Sequence, residues 1–329
     1  MSGEIPGAGS SADRRRITFE ILAAAAAAVL FFLAFLLIPV AGTLALPFAA
    51  VPAVRLAHRH GAAAAIAASG VGAGLILGIA TAIGSQGPSL AALAGSVTLL
   101  PALLASAVRR GVTHSRAFLV LCVAGFLPIA GLAVADRWSG ESAVAKEISA
   151  TFDQVIPAAV ESSKRSTRDA EMVERVRRTF TAARDIARRF WPGLLGASWV
   201  LAAGVAFYAG ARAARPAPSA AAARFEDLRA PAPAAALFVV TGGCAALTRG
   251  VARDVAGSLL IPLTALFFLV GLSIICHFAR RWFRARVLRI CLYVLLVYFF
   301  PMNLGVALLG LFDWYADFRR RGEGAAKPS

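Results

Sequence analysis

No aspartate, glutamate, lysine or arginine interrupts residues 21–54 or residues 61–108. A helix rises about 1.5 Å per residue and a bilayer's hydrocarbon core is about 30 Å thick, so about 20 apolar residues cross it. The first stretch would be about 50 Å long as one helix, too long for one span and short for two. A break near residues 39–42 leaves a full first helix and a shorter second one punctuated by Pro47 and Pro52. In the second stretch Gly84-Ser85-Gln86-Gly87-Pro88 is a turn signal that divides it into two helices. Further apolar segments lie at 117–135, 191–211, 231–248, 255–278 and 290–312. The expected fold class is all-α, a polytopic transmembrane helical bundle of about eight or nine spans.

Composition agrees: 59% of residues are hydrophobic, 16% are charged, and mean hydropathy is +0.71. Soluble domains carry roughly a quarter charged residues, and a soluble chain could not hide this much apolar surface. Disorder, collagen and a disulfide scaffold are excluded by the same figures. The formal charge of +16 and pI of 11.2 invite a nucleic-acid reading. The placement of the basic residues argues against a nucleic-acid partner, because they gather in short clusters between apolar runs. Cys122, Cys244, Cys276 and Cys291 all sit within apolar runs and read as small hydrophobes.

Those clusters orient the chain. With the N-terminus in the cytoplasm, that side receives Arg14, Arg15, Arg16, Arg55, Arg59, Arg109, Arg110, Arg116, Arg212, Arg215, Arg224 and Arg229, and then Arg280, Arg281, Arg284, Arg286 and Arg289. The opposite short loops hold only Arg249 and Arg253. Nine spans put Arg319, Arg320 and Arg321 outside, against the rule. Either the tail is translocated anyway, or the last segment turns back at Pro301-Met302-Asn303. Three arginines before an apolar stretch also suggest a signal peptide, but the apolar region is too long for a cleaved one. An uncleaved first helix in the inner (plasma) membrane is the expectation.

Residues 1–16 read as a disordered basic tail, 17–135 as spans one to five, 136–190 as a polar insert, 191–318 as spans six to nine, and 319–329 as a basic tail. In the insert, basic and acidic residues nearly balance, and apolar residues recur at helical spacing: Val144, Ile148, Phe152, Ile156 and Val160, then Met172, Val176, Phe180, Ala183, Ile186 and Phe190. This predicts an amphipathic helical hairpin between spans five and six, kinked at Pro157. Ser166-Thr167-Arg168-Asp169 offers an N-cap to its second helix. The apolar stripes either close on each other, rest on the bilayer surface, or dock a partner. Residues 212–233, rich in Ala and Pro, read as a cytoplasmic linker with at most one helical turn.

Chemistry is sparse. The apolar runs hold no Asp, Glu, Lys or Arg, which ion-coupled pumps and intramembrane aspartyl proteases need there. H-E-x-x-H, a P-loop and G-x-S-x-G are all missing from the chain. No catalytic residue, cofactor or metal is therefore expected. His58-Arg59-His60 reads as a headgroup anchor rather than a metal site, and His277 as an interfacial residue. Asn303, the lone asparagine, follows Pro301 in an apolar segment. Such a break marks a substrate site in some transporters and a stabilised kink elsewhere. Gly70, Gly74 and Gly78 form a tandem G-x-x-x-G that suits close helix packing inside the bundle. Trp314 and Tyr315 suit the membrane interface, and Arg319, Arg320 and Arg321 suit headgroup phosphates.

The ending Gly310-Leu311-Phe312-Asp313-Trp314-Tyr315-Ala316-Asp317-Phe318-Arg319 resembles the YybS-like family of uncharacterised bacterial membrane proteins. Three further features fit: the short second helix running into Arg55-Leu56-Ala57-His58-Arg59-His60-Gly61, the polar hairpin, and Phe268-Leu269-Val270-Gly271-Leu272. The resemblance covers most of residues 17–321 and implies a multi-span inner-membrane protein without assigned functional residues. The N-terminal half is also similar to the substrate-binding subunits of vitamin-uptake transporters. Two functions are expected on these grounds. One is a non-catalytic solute-handling subunit, driven by a separate ATPase or an ion gradient. The other is a membrane scaffold that recruits another membrane protein through its hairpin and basic loops.

Overall fold

The computed structural model describes residues 11–37, 45–82, 87–138, 142–166, 169–214, 224–283, 285–298, 300–316 and 318, and among these there is no strand. In chain order the helices are α1 (Ser11–Leu37), a 3-10 turn (Leu46–Ala50), α2 (Val51–His60), α3 (Ala62–Ala82), α4 (Gly87–Val108), α5 (His114–Trp138), α6 (Ala143–Ser166), α7 (Ala170–Ala213), a second 3-10 turn (Phe225–Asp227), α8 (Ala232–Leu247), α9 (Val251–Trp282), α10 (Arg286–Tyr298) and α11 (Phe300–Ala316).

Among the described residues each expected apolar segment is helical, and five helices there have the length and composition to cross a membrane: α1, α3, α5, α7 and α9. The apolar part of α4 (Ala94–Val108) and α8 (Ala232–Leu247) are shorter. Helix α2 is about 15 Å long, because Pro47 and Pro52 confine it to a 3-10 turn and ten residues. The expected disordered tail is helical from Ser11 onward, so Arg14, Arg15 and Arg16 ride on the first turns of α1. The proposed break at residues 39–42 and most of the turn at 84–88 lie outside the described residues.

The last apolar segment is two helices instead of one. Pro301 falls in the first turn of α11, the place where its missing N–H costs nothing. Phe318 shares a cavity of about 410 Å³ with Trp282 and Phe283 at the end of α9, and with Leu292 and Leu296 of α10. Phe318 is thus brought back to the end of the bundle where α10 starts.

The bundle is organised around α7, which touches α2, α4, α5, α6 and α9. Its core holds Val54, Phe118, Leu121, Val200, Phe207, Leu228, Leu266 and Val270. Glycines admit the neighbours. A Cβ on Gly210 would overlap the Val54 side chain, and one on Gly193 would stand 2.6 Å from the Ser258 carbonyl oxygen. Trp199 Nε1 donates to the Leu121 carbonyl oxygen at 3.0 Å, its indole lying where a Cβ on Gly125 would go.

The polar insert is a helical hairpin. Asp169 caps α7, accepting from the Glu171 amide at 2.9 Å. Helix α6 runs unbroken through Pro157. The helical backbone is lost instead at Phe190 (φ −116°, ψ 21°), two residues before Pro192. Pro192 offers no N–H to Arg188 and its ring crowds that carbonyl, which separates the polar half of α7 from its apolar half. Val160 is buried, and Phe152, Ile156, Val176 and Phe180 are half-buried. Arg184 reaches Asp153 across the hairpin at 3.1 Å, and Arg189 pairs with Asp254 of α9 at 2.5 Å. The Asp136 carboxylate accepts from the Ser142 hydroxyl and tethers α6 to α5.

Candidate functional site

Polar side chains concentrate at the end of the bundle opposite the hairpin. Glu20 of α1 meets His60 at 3.0 Å, Arg59 at 3.6 Å and Arg16 at 3.6 Å. One carboxylate thus ties α1 to α2. Helix α2 ends at Gly61, whose φ of +93° suits only glycine, and the Arg109 guanidinium lies over it, 3.0 Å from where a Cβ would stand. His58 is 2% exposed and stacks on His114 with ring centroids 5.9 Å apart. From His114 a train of rings continues through Phe207 and Tyr208 to Phe225. Burial, then the neighbouring His114 and Arg109, push the His58 imidazole down to about 4. Helix α2 is too short to span, so this histidine belongs to the polar end and is held neutral.

The described part of the segment expected to be a cytoplasmic linker completes this end. Leu228 is fully buried, its carbonyl accepts from Ser273 Oγ at 3.2 Å, and Glu226 pairs with Arg280 at 2.6 Å. Ser115 Oγ donates to the Asp227 carbonyl at 3.3 Å. Between these elements opens a cleft of about 440 Å³ lined by Val108, Thr113, His114, Ser115, Arg224 and Asp227. Residues 215–223 of the linker lie outside the described residues. Among the described residues no group of three His, Cys, Asp or Glu side chains could hold a metal ion.

Cavities at membrane depth have apolar walls. One of about 240 Å³ lies among Pro47, Val97, Pro101, Ile129 and Trp199. Another of about 420 Å³ runs between α5 and α8, floored by α7 and α9.

The glycines expected inside the bundle face the other way. Gly70, Gly74 and Gly78 are exposed, and a Cβ on any of them would meet nothing within 4 Å. Ala63 and Ala67 extend the stripe, flanked by exposed Ile66, Val71, Leu75 and Leu77. The buried side of α3 carries Ala65, Ala68, Gly72, Ile76 and Ala80 instead. Asn303 is half-buried in the first turns of α11, while Trp314 and Tyr315 are exposed at its end. Arg319, Arg320 and Arg321 lie outside the described residues.

The tightest helix contact was not singled out by spacing. A Cβ on Gly310 would stand 2.6 Å from the Gly271 amide nitrogen and closer still to the Phe267 carbonyl, and one on Gly271 would strike the Val306 carbonyl. Gly271 belongs to Phe268–Leu272 and Gly310 opens the C-terminal motif. Two of the segments that carry the family resemblance therefore meet backbone to backbone where α9 crosses α11.

No curated protein and no solved structure matches the chain. A family profile described as predicted membrane protein (DUF2232) matches residues 25–314. That range runs from the buried face of α1 to the last turn of α11, and it places the chain in the DUF2232 family of predicted membrane proteins.

Proposed function

We propose that this protein is a non-catalytic subunit of a membrane complex, acting through a partner that seats a helix against α3. One observation carries this reading: Gly70, Gly74 and Gly78 lie on an open surface of an apolar helix. In a bilayer, apolar area alone does not drive helix association, because lipid tails are as apolar as leucine. Close van der Waals contact does, and a small-residue stripe permits it. The affiliation with YybS-like proteins, the inner (plasma) membrane and an N-terminus in the cytoplasm belong to the same proposal. They rest on the C-terminal motif and on the arginine distribution. The bilayer and a second membrane protein are the partners, and nucleic acid is not.

A solute-handling subunit powered by a separate ATPase is the second reading. The cleft beside His114 and Arg224 favours it.

Gly74→Ile tests the first. The variant should insert and melt like wild type, since Gly74 is exposed and a Cβ there meets nothing within 4 Å, yet lose a partner that co-purifies stoichiometrically in mild detergent. Wild-type protein that runs at its monomer mass, free of any other polypeptide, would overturn the proposal.

A further inference from the structure

The cleft of about 440 Å³ at the arginine-rich end has Arg224 and Asp227 on one wall and the turn joining α4 to α5 on the other. The first wall is firmly held. Its 3-10 turn closes through the Asp227 amide, which donates to the Arg224 carbonyl at 3.1 Å. Leu228 is fully buried behind it, and the Phe225 ring lies edge-on to Tyr208 with centroids 5.4 Å apart. From the second wall, Ser115 Oγ donates to the Asp227 carbonyl at 3.3 Å, which leaves the hydroxyl's lone pairs to accept. Val108 and Val112 give that wall an apolar surface.

Two opposite charges stand on the first wall. Side chains three residues apart in a 3-10 turn lie over one another, so Arg224 and Asp227 share one side of the turn, and both line the cleft. Glu226, between them, pairs instead with Arg280 at 2.6 Å. Among the described residues Arg224 and Asp227 form no ion pair, either with each other or with a third group. The cavities at membrane depth have apolar walls, so a charged ligand of this cleft stays at the end of the bundle.

We infer that this cleft binds a small zwitterion of the amino-acid type, with one ammonium and one carboxylate on a short apolar body. A simple anion is drawn to Arg224 and repelled by Asp227, and a simple cation the reverse. A ligand that carries both charges is favoured by both. Its carboxylate meets the Arg224 guanidinium, which offers parallel N–H donors to a planar anion. Its ammonium donates to the Asp227 carboxylate and to the Ser115 hydroxyl oxygen, and its apolar body lies on Val108 and Val112. Arg224 and Asp227 are both exposed, where each ion pair is weak, so the Kd is about 1 mM. The inference rests on the reading of this cleft as a solute site and names the class of solute.

The test uses the full chain in phosphatidylglycerol nanodiscs with leucine as the probe, titrated by saturation-transfer NMR. N-acetyl-leucine, which lacks the ammonium, and leucinamide, which lacks the carboxylate, should each bind about fivefold more weakly than leucine. Asp227→Asn should bring leucine and N-acetyl-leucine within about twofold of each other, and Arg224→Gln should do the same for leucine and leucinamide. Both side chains are exposed, so the variants keep the fold. Arg110→Gln, at an exposed arginine outside the cleft lining, should leave all three affinities unchanged. Equal binding of leucine and either analogue by the wild type would overturn the inference, as would discrimination that survives both cleft substitutions. Loss of leucine binding in phosphatidylethanolamine nanodiscs, whose headgroup also carries an ammonium and an anion, would overturn it in favour of a lipid ligand. A singly charged solute that co-purifies with the wild type and is lost from Arg224→Gln would overturn the zwitterion and leave the solute reading standing. No leucine signal at about ten times the expected Kd, with no solute co-purifying, would overturn both.

Discussion

Replacing Gly310 by alanine should force α11 off α9. The new methyl would stand 2.6 Å from the Gly271 nitrogen and nearer the Phe267 carbonyl. Ordinary non-bonded contact needs about 3.5 Å, so the helices must part by at least about 1 Å, and by more to clear the Phe267 carbonyl. Neither obstructing atom can swing aside, because both are backbone. A gap of that size forfeits a quarter to a half of each dispersion well it opens, along an interface that also holds Phe267, Ala307 and Leu311. Overpacking a well-filled core costs about 1–3 kcal/mol, and an immobile neighbour puts Gly310→Ala at about 3 kcal/mol. The assay is thermal unfolding of detergent-purified protein by intrinsic tryptophan fluorescence, for which the chain supplies five tryptophans. Gly271→Ala, aimed at the Val306 carbonyl, should cost a similar amount. Gly74→Ala should cost nothing, since its methyl meets no atom within 4 Å. Equal melting of Gly310→Ala, Gly74→Ala and wild type would refute the reasoning.

Phe152→Asp with Phe180→Asp should open the hairpin, removing on the order of 1 kcal/mol of burial per half-buried ring. Amide exchange should rise in 143–189 while the bundle still inserts and extracts normally; loss of the protein from membranes would contradict a hairpin that folds apart from the bundle. His58 is held neutral in the fold at about 4 against about 6.5 when unfolded. Its contribution is present above pH 6.5 and lost as pH falls towards 4, up to about 3 kcal/mol. Wild-type melting should drop across that window, and His58→Phe should flatten the drop; parallel pH profiles would count against it. With Cys122, Cys244, Cys276 and Cys291 replaced, a single cysteine at Ser115 or Ala220 should resist an impermeant thiol reagent in intact cells, and one at Ser162 should react. Labelling at Ser115 would reverse the assigned orientation.

Helix positions were legible in the sequence because uncharged runs and prolines report directly on backbone possibilities. The boundary between hairpin and span at residues 190 and 191 is an example: the apolar period stops there, and Phe190 is where the helix breaks. The Asp169 cap is another, set by side-chain chemistry three residues after Ser166. Direction was not legible. Helix α3 is apolar all round, so the four-residue spacing of Gly70, Gly74 and Gly78 could not say whether the stripe faces protein or lipid. Gly271 and Gly310 have no glycine four residues away in their helices, and only the fold brings them together. Span number also resisted reading. Hydropathy marks α8 and the 290–312 segment as apolar, but their lengths depend on where Pro231 and the break before Pro301 let a helix begin. The linker was legible only in its one helical turn, Phe225–Asp227. Its Ala and Pro content looks unstructured, while Phe225 and Leu228 bind it into the core.

The α3 face is tested most directly by photo-crosslinking in native membranes. A photoreactive residue is placed in turn at Val71, Leu75 and Leu77, which flank the glycine stripe, and at Val239 and Val240 of α8 as exposed controls. The α3 positions should capture one polypeptide of fixed mass, the capture should vanish in Gly74→Ile, and the α8 positions should capture only lipid. Lipid alone at every α3 position, or a polypeptide captured equally well in Gly74→Ile, would contradict a partner seated on Gly70, Gly74 and Gly78.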